Sequence, residues 1–139
     1  MKMTKGKCFQ IFSITILSIL FMSATAFAGD WHIKGHMFQD KNCNLIRNSG
    51  EKHMPVYVFI TCTGPGIKGG SQTKKTKDKY DFDTHHKPGT YTLTVTVPSG
   101  WCCLSPNPAT VVMVKKDIKI DFAFSRLPIS PGDPNACCP

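Results

Sequence analysis

Beyond residue 28 the chain has no apolar run long enough to span a bilayer, no C-x-x-C pair and no stretch in which apolar residues recur every 3.6 positions. The first absence removes a second membrane helix. The next removes the usual zinc-loop and thioredoxin-type spacings, and the last removes an amphipathic helix. Acids are scarce, with 9 Asp+Glu against 17 Lys+Arg, so paired carboxylates for hydrolysis are few. Asp81 and Asp83 are two apart on a strand and face solvent, which suits solvated charges better than sugar chemistry. At 139 residues there is no room for a (β/α)₈ barrel or for a dinucleotide-binding pair of half-domains. An iron dioxygenase site needs two Tyr and two His, and Tyr57, Tyr80 and Tyr91 are too few once Tyr80 and Tyr91 face inward.

What is present begins with a leader. Lys2, Lys5 and Lys7 precede an apolar run from Phe9 to Met22, and Ala26-Phe27-Ala28 supplies a small-residue cleavage site, the pattern of a signal peptide over 1–28. Removing 28 of 139 residues leaves 111, and net charge falls from +8 to +5 as the three lysines leave. The expected destination is secreted, cell-surface or periplasmic. Six cysteines remain: Cys43, Cys62, Cys102, Cys103, Cys137 and Cys138. An oxidising compartment and an even count favour disulfides. Neighbouring cysteines resist pairing with each other, yet many connectivities stay open. The simplest arrangement ties Cys137 or Cys138 to Cys102 or Cys103 and joins Cys43 to Cys62, with a buried free thiol as the alternative for Cys62.

Apolar residues alternate with a period of two. Strands are expected at Trp31–Phe38, Val56–Thr63, Ser71–Lys75, Lys79–Asp83, Tyr91–Val97, Ala109–Val114 and Ile118–Phe124. Val56, Val58, Ile60 and Cys62 share one face, as do Tyr91, Leu93, Val95 and Val97. Thr76-Lys77-Asp78 and Lys115-Lys116-Asp117 read as hairpin turns. About seven short strands separated by Gly/Pro breaks indicate an all-β fold, a single antiparallel β-sandwich over 29–125. A Pro/Cys-rich tail follows over 126–139.

Within this frame Ile33, Gly35, Asp40, Asn42, Asn44, Gly50-Glu51, Pro88-Gly89-Thr90-Tyr91, Pro98, Gly100-Trp101 and Ile120-Asp121-Phe122 stand in an order that resembles the SdrD B-like domain. The resemblance spans roughly Trp31 to Phe124. It implies a prealbumin-like (transthyretin-like) β-sandwich related to Cna-B repeats, found in surface and secreted proteins of adhesion type. Met54-Pro55 departs from the usual P-x-G, Leu45 stands where the acidic loop usually has Gly, and the six cysteines are not a family feature.

The segment Asp40–Glu51 reads D-K-N-C-N-L-I-R-N-S-G-E. Counting Asp40 as position 1 puts Asn42 at 3, Asn44 at 5, Ile46 at 7, Asn48 at 9 and Glu51 at 12. That is the order in which a 12-residue loop wraps a hard cation with side-chain oxygens, one backbone carbonyl and a bidentate Glu. Calcium is the expected cofactor, and the resemblance implies the same. Leu45 occupies the position-6 Gly site, and only two ligands are charged, so affinity should be low. A polar loop closed by Asn side chains without metal is the competing account.

Other chemistry is weaker. The resemblance brings up an intramolecular isopeptide between Lys34 and Asp121, but the acid that should promote it is replaced by Thr92, Thr94 and Thr96. His32 and His36 lie about 13 Å apart on a strand, too far for one ion. Lys68, Lys74, Lys75, Lys77, Lys79 and Lys87 concentrate the positive charge in what looks like one hairpin. They suit either edge protection or contact with anionic polymers. Export, and the lack of aromatic residues interleaved with these lysines, disfavour nucleic acid.

Two function classes follow. The first is an exported non-enzymatic structural or interaction module, stabilised by disulfides and calcium, whose partner is an unknown protein or glycan at the cell surface; self-association is also open. The alternative is a periplasmic metal- or ligand-binding protein using the Cys and His residues.

Overall fold

The structure is a computed structural model and describes residues 29–127. The expected signal peptide, and the tail with Cys137 and Cys138, lie outside the described residues. Among the described residues there are nine strands: β1 (His32–Gln39), β2 (Val58–Thr63), β3 (Ser71–Thr76), β4 (Lys79–Asp83), β5 (Gly89–Thr96), β6 (Trp101–Cys103), β7 (Ala109–Met113), β8 (Ile118–Lys119) and β9 (Phe122–Arg126). They form two sheets. One runs β4-β1-β9-β6 with β8 also beside β1, and the other runs β3-β2-β5-β7.

Period-two burial explains why these segments become strands. Val58, Ile60 and Cys62 of β2 are buried while Phe59 and Thr63 are exposed, and β5 buries Tyr91, Leu93 and Val95 in the same way. These side chains meet Ile33, Met37, Tyr80, Phe82, Phe122 and Phe124 of the other sheet in one shared core. Val56 and Val97, expected inward, lie beyond the ends of their strands and are exposed.

The expected purely antiparallel arrangement needs correction. β1 pairs in parallel with β8 through Ile33 and Lys34, and with β9 through Met37, Phe38 and Gln39. All other pairings are antiparallel. Neither expected hairpin forms. β3 pairs with β2 and β4 pairs with β1, so Thr76-Lys77-Asp78 carries the chain from one sheet to the other. β7 pairs with β5 while β8 and β9 pair with β1, so Lys115-Lys116-Asp117 is a second crossing.

The first crossing is held by hydrogen bonds beyond the turn itself. The Asp78 carbonyl accepts from Met37 N at 2.7 Å and the Lys77 carbonyl from Met54 N at 2.9 Å. The Thr76 hydroxyl donates to the Lys79 carbonyl at 2.7 Å. Burying Tyr80 and Phe82 from the opposite side of the core therefore takes precedence over local hairpin closure.

β1 and Ile120 approach so closely that a Cβ on Gly35 would stand 1.6 Å from the Ile120 oxygen. Tyr80 donates its hydroxyl to that same oxygen at 2.5 Å. Burial raises the Tyr80 phenol well above its ordinary pKa, keeping it a neutral donor.

Candidate functional site

Three surfaces carry concentrated chemistry. The first is the Asp40–Glu51 loop. Asp40 is almost fully buried, and its carboxylate accepts from Asn44 N at 3.3 Å and Leu45 N at 2.7 Å. Asn42 Oδ1 accepts from Asn44 N, and Asn44 Oδ1 from Ile46 N. Glu51 accepts from Lys41 N at 3.0 Å and Asn48 N at 2.8 Å, so position 12 closes back on both halves of the loop. The Ile46 carbonyl accepts from the Asn48 amide. Leu45 takes φ 62° and Cys43 φ 60°, the left-handed region expected only of Gly at position 6.

The loop thus brings Asp40, Asn42, Asn44, Ile46, Asn48 and Glu51 into one hydrogen-bonded turn system. The side-chain oxygens of Asp40, Asn42, Asn44 and Glu51 and the Ile46 carbonyl each accept from a loop donor, and a carboxylate or carbonyl oxygen has two lone pairs. An all-oxygen set with two carboxylates fits a hard cation of calcium type at low affinity. Among the described residues no three His, Cys, Asp or Glu side chains gather as a metal group, so any cation here would depend on the Asn and carbonyl oxygens.

The second surface is a shallow groove of about 310 Å³ lined by Lys34, Gly35, His36, Lys79, Tyr80, Asp81 and Lys119. Most of its charges are paired with residues beyond the lining. Lys34 bonds Asp117, which raises the lysine pKa and lowers the carboxyl, and Lys119 meets Asp121 at 2.9 Å. Lys34 and Asp121, the pair considered above for an isopeptide, therefore each engage another residue in an ion pair. Four of the five histidines are likewise dispersed among separate carboxylates, His32 with Asp81, His36 with Asp78, His85 with Asp83 and His86 with Asp30, while His53 meets the Met54 carbonyl. His32 and His36 share no partner.

The third surface is the outer face of the β3-β2-β5-β7 sheet. Register places Thr73, Thr61 and Thr94 in one row, and Ser71, Thr63, Thr92 and Thr110 in the next. A further row holds Lys75, Phe59 and Thr96. Thr61 and Thr73 share a hydroxyl hydrogen bond of 2.7 Å. At one end Tyr57 and Phe59 are 54% and 46% exposed. Lys75 Nζ lies 4.5 Å from the Tyr57 centroid, and Lys77 Nζ lies 4.6 Å from it.

This last arrangement was only half legible. The outward threonines of β5 are visible in the alternation, whereas the lysines look devoid of aromatic neighbours because Tyr57 and Phe59 come from the preceding part of the chain. The signal that was there is an outward-facing Phe59 in a strand whose other outward residues are Thr61 and Thr63.

The cysteines divide into two groups. Cys62 and Cys103 are free thiols, and burial pushes both pKa values up to about 11. Cys62 points into the core from β2 while Cys43 sits on the exposed loop, so the expected Cys43–Cys62 bond is not made. Cys43 and Cys102 are not free. Among the described residues no helix is long and apolar enough to cross a membrane. No family model matches the chain, and a search of curated proteins finds no match.

Proposed function

We propose that this chain is an exported, non-enzymatic structural and interaction module of the cell surface or periplasm, working through the outer face of its four-stranded sheet. The observation that carries this reading is that face: broad, built in register from four strands, and left with exposed aromatic rings and lysines. Contiguous exposed apolar and charged groups on a rigid sheet mark contact surfaces. The leader pattern of 1–28 supports export, and a protein or glycan at the cell surface is the class of partner.

The prealbumin-like, SdrD B-like assignment belongs to this proposal. Its support is the position of the resembling residues: Gly35 at a close approach, Tyr91 pinning two loops through Gly66 N and the Lys87 carbonyl, and Trp101 in the core. Calcium in the Asp40–Glu51 loop is the proposed cofactor, in a structural role. With Cys62 and Cys103 free, the four other mature cysteines allow two disulfides in place of three, which would staple the body to the tail.

Cell fractionation with intact-mass measurement tests the reading. The expected product begins at Gly29, sits in the envelope or medium, and shows two disulfides and two thiols. A full-length product confined to the cytoplasm would overturn it.

A further inference from the structure

This inference rests on the reading above and names the chemistry of the partner. We propose that the outer face of the β3-β2-β5-β7 sheet binds an acidic polysaccharide, with anionic groups on Lys75 and Lys77 and a sugar ring against Tyr57 or Phe59.

Charge segregation is the first argument. The carboxylates of Asp30, Asp78, Asp81, Asp83, Asp117 and Asp121 are each engaged by a His, Lys or Arg outside this face. Asp40 and Glu51 are turned into their own loop. The outer rows of the sheet contain no acid at all. Lys75 and Lys77 make no ion pair among the described residues and rest over rings instead. Such ammonium groups are held near an apolar platform yet remain available to a polyanion.

The rest of the face gives the partner its other character. The hydroxyl rows run across strands that lie about 4.8 Å apart, and Thr61 with Thr73 and Thr63 with Ser71 form hydrogen-bonded hydroxyl pairs within them. Thr73, Thr94, Thr96 and Thr110 are exposed and present donors and acceptors suited to a polyol. When a carboxylate or sulfate draws the ammonium aside, the Tyr57 face is uncovered for the C–H edge of a sugar. A second copy would set lysines against lysines.

The test is affinity electrophoresis and calorimetry of the mature protein with polygalacturonate. Neutral dextran, a single-stranded DNA homopolymer and vesicles of phosphatidylglycerol with phosphatidylcholine serve as comparators. Polygalacturonate should bind in a salt-sensitive way and dextran should not. Lys75→Glu/Lys77→Glu should lose at least tenfold in affinity and Tyr57→Ala several-fold, while Lys115→Glu/Lys116→Glu stays within twofold. Lys75→Ala/Lys77→Ala, checked by thermal melting, guards against a folding defect in the charge reversal.

Equal binding by the reversed variant overturns the proposal. So does equal retention of DNA or vesicles, or a solution dimer that buries Tyr57. Absence of binding by a correctly exported protein sinks this inference alone, whereas failed export with binding intact sinks the broader reading alone.

Discussion

Lys75 Nζ stands 4.5 Å from the centroid of the Tyr57 ring and 5.7 Å from that of Phe59, so one ammonium is shared between two solvent-facing rings. Such contacts at exposed positions contribute about 0.5–1 kcal/mol. Tyr57→Ala and Phe59→Ala should therefore each cost at most about 1 kcal/mol of stability in urea unfolding. Ile60→Ala, from the opposite face of the same strand and fully buried, should cost about 2–5 kcal/mol. A large loss from Tyr57→Ala would mean that the ring belongs to the fold and not to a contact surface.

Gly35 has a different constraint. An added Cβ would stand 1.6 Å from the Ile120 oxygen and 2.9 Å from the Tyr80 hydroxyl. Gly35→Ala must push β1 away from that carbonyl and weaken the Tyr80 bond, so a loss of about 2–3 kcal/mol is expected. Chemical denaturation checks it. A change below about 0.5 kcal/mol, the scale of ordinary surface substitutions, would contradict the close approach.

Acid stability should depend on Asp78. Its hydrogen bond with His36, reinforced by the charge of Arg47, lowers its pKa from the ordinary 3.8 despite opposing desolvation. The folded state therefore holds this proton less readily than the unfolded state. The stabilisation is present above the unfolded pKa and is lost as pH falls through the lower folded pKa. Asp78→Asn should destabilise the protein at pH 6, with the gap to wild type closing below pH 3.8. Melting curves across pH 2.5–6 measure this, and a gap that widened on acidification would reverse the sign.

Calcium should raise the melting midpoint. For a dissociation constant near about 1 mM, typical of extracellular modules, about 10 mM calcium adds roughly 1.4 kcal/mol. Asp40→Asn should abolish the shift. Leu45→Gly should enlarge it, because a side chain at φ 62° opposes the loop's shape. Identical midpoints with calcium and with chelator would remove the ion from the account.

The sequence discloses the faces of the strands better than their partners. Inward assignment of Leu93, Val95, Phe122 and Phe124 follows from alternation alone, because each flanking residue points the other way. Ala123 and Ser125 break the pattern: both are buried although they alternate with the phenylalanines. Their backbone neighbours explain part of this, since Ser105 Oγ accepts from Ala123 N and Leu104 N donates to the Ala123 carbonyl.

Sheet membership is hidden for another reason. Thr76-Lys77-Asp78 has the composition of a hairpin turn, and only the distant donors Met37 N and Met54 N turn it into a crossing. The spacing from Asp40 to Glu51 marks a polar loop, yet nothing local shows that Leu45 adopts the left-handed conformation. The ammonium–ring contacts were invisible because Phe59 and Lys75 are joined by strand register and not by sequence.

The central claim is that the outer face of the four-stranded sheet is the working surface. NMR chemical-shift perturbation of the mature protein titrated with oligogalacturonate tests it most directly. The expected result is a contiguous set of shifts at Tyr57, Phe59, Thr61, Thr73, Lys75, Thr94 and Thr96. Shifts confined to the Lys34–Tyr80 groove or to the Asp40–Glu51 loop would contradict it.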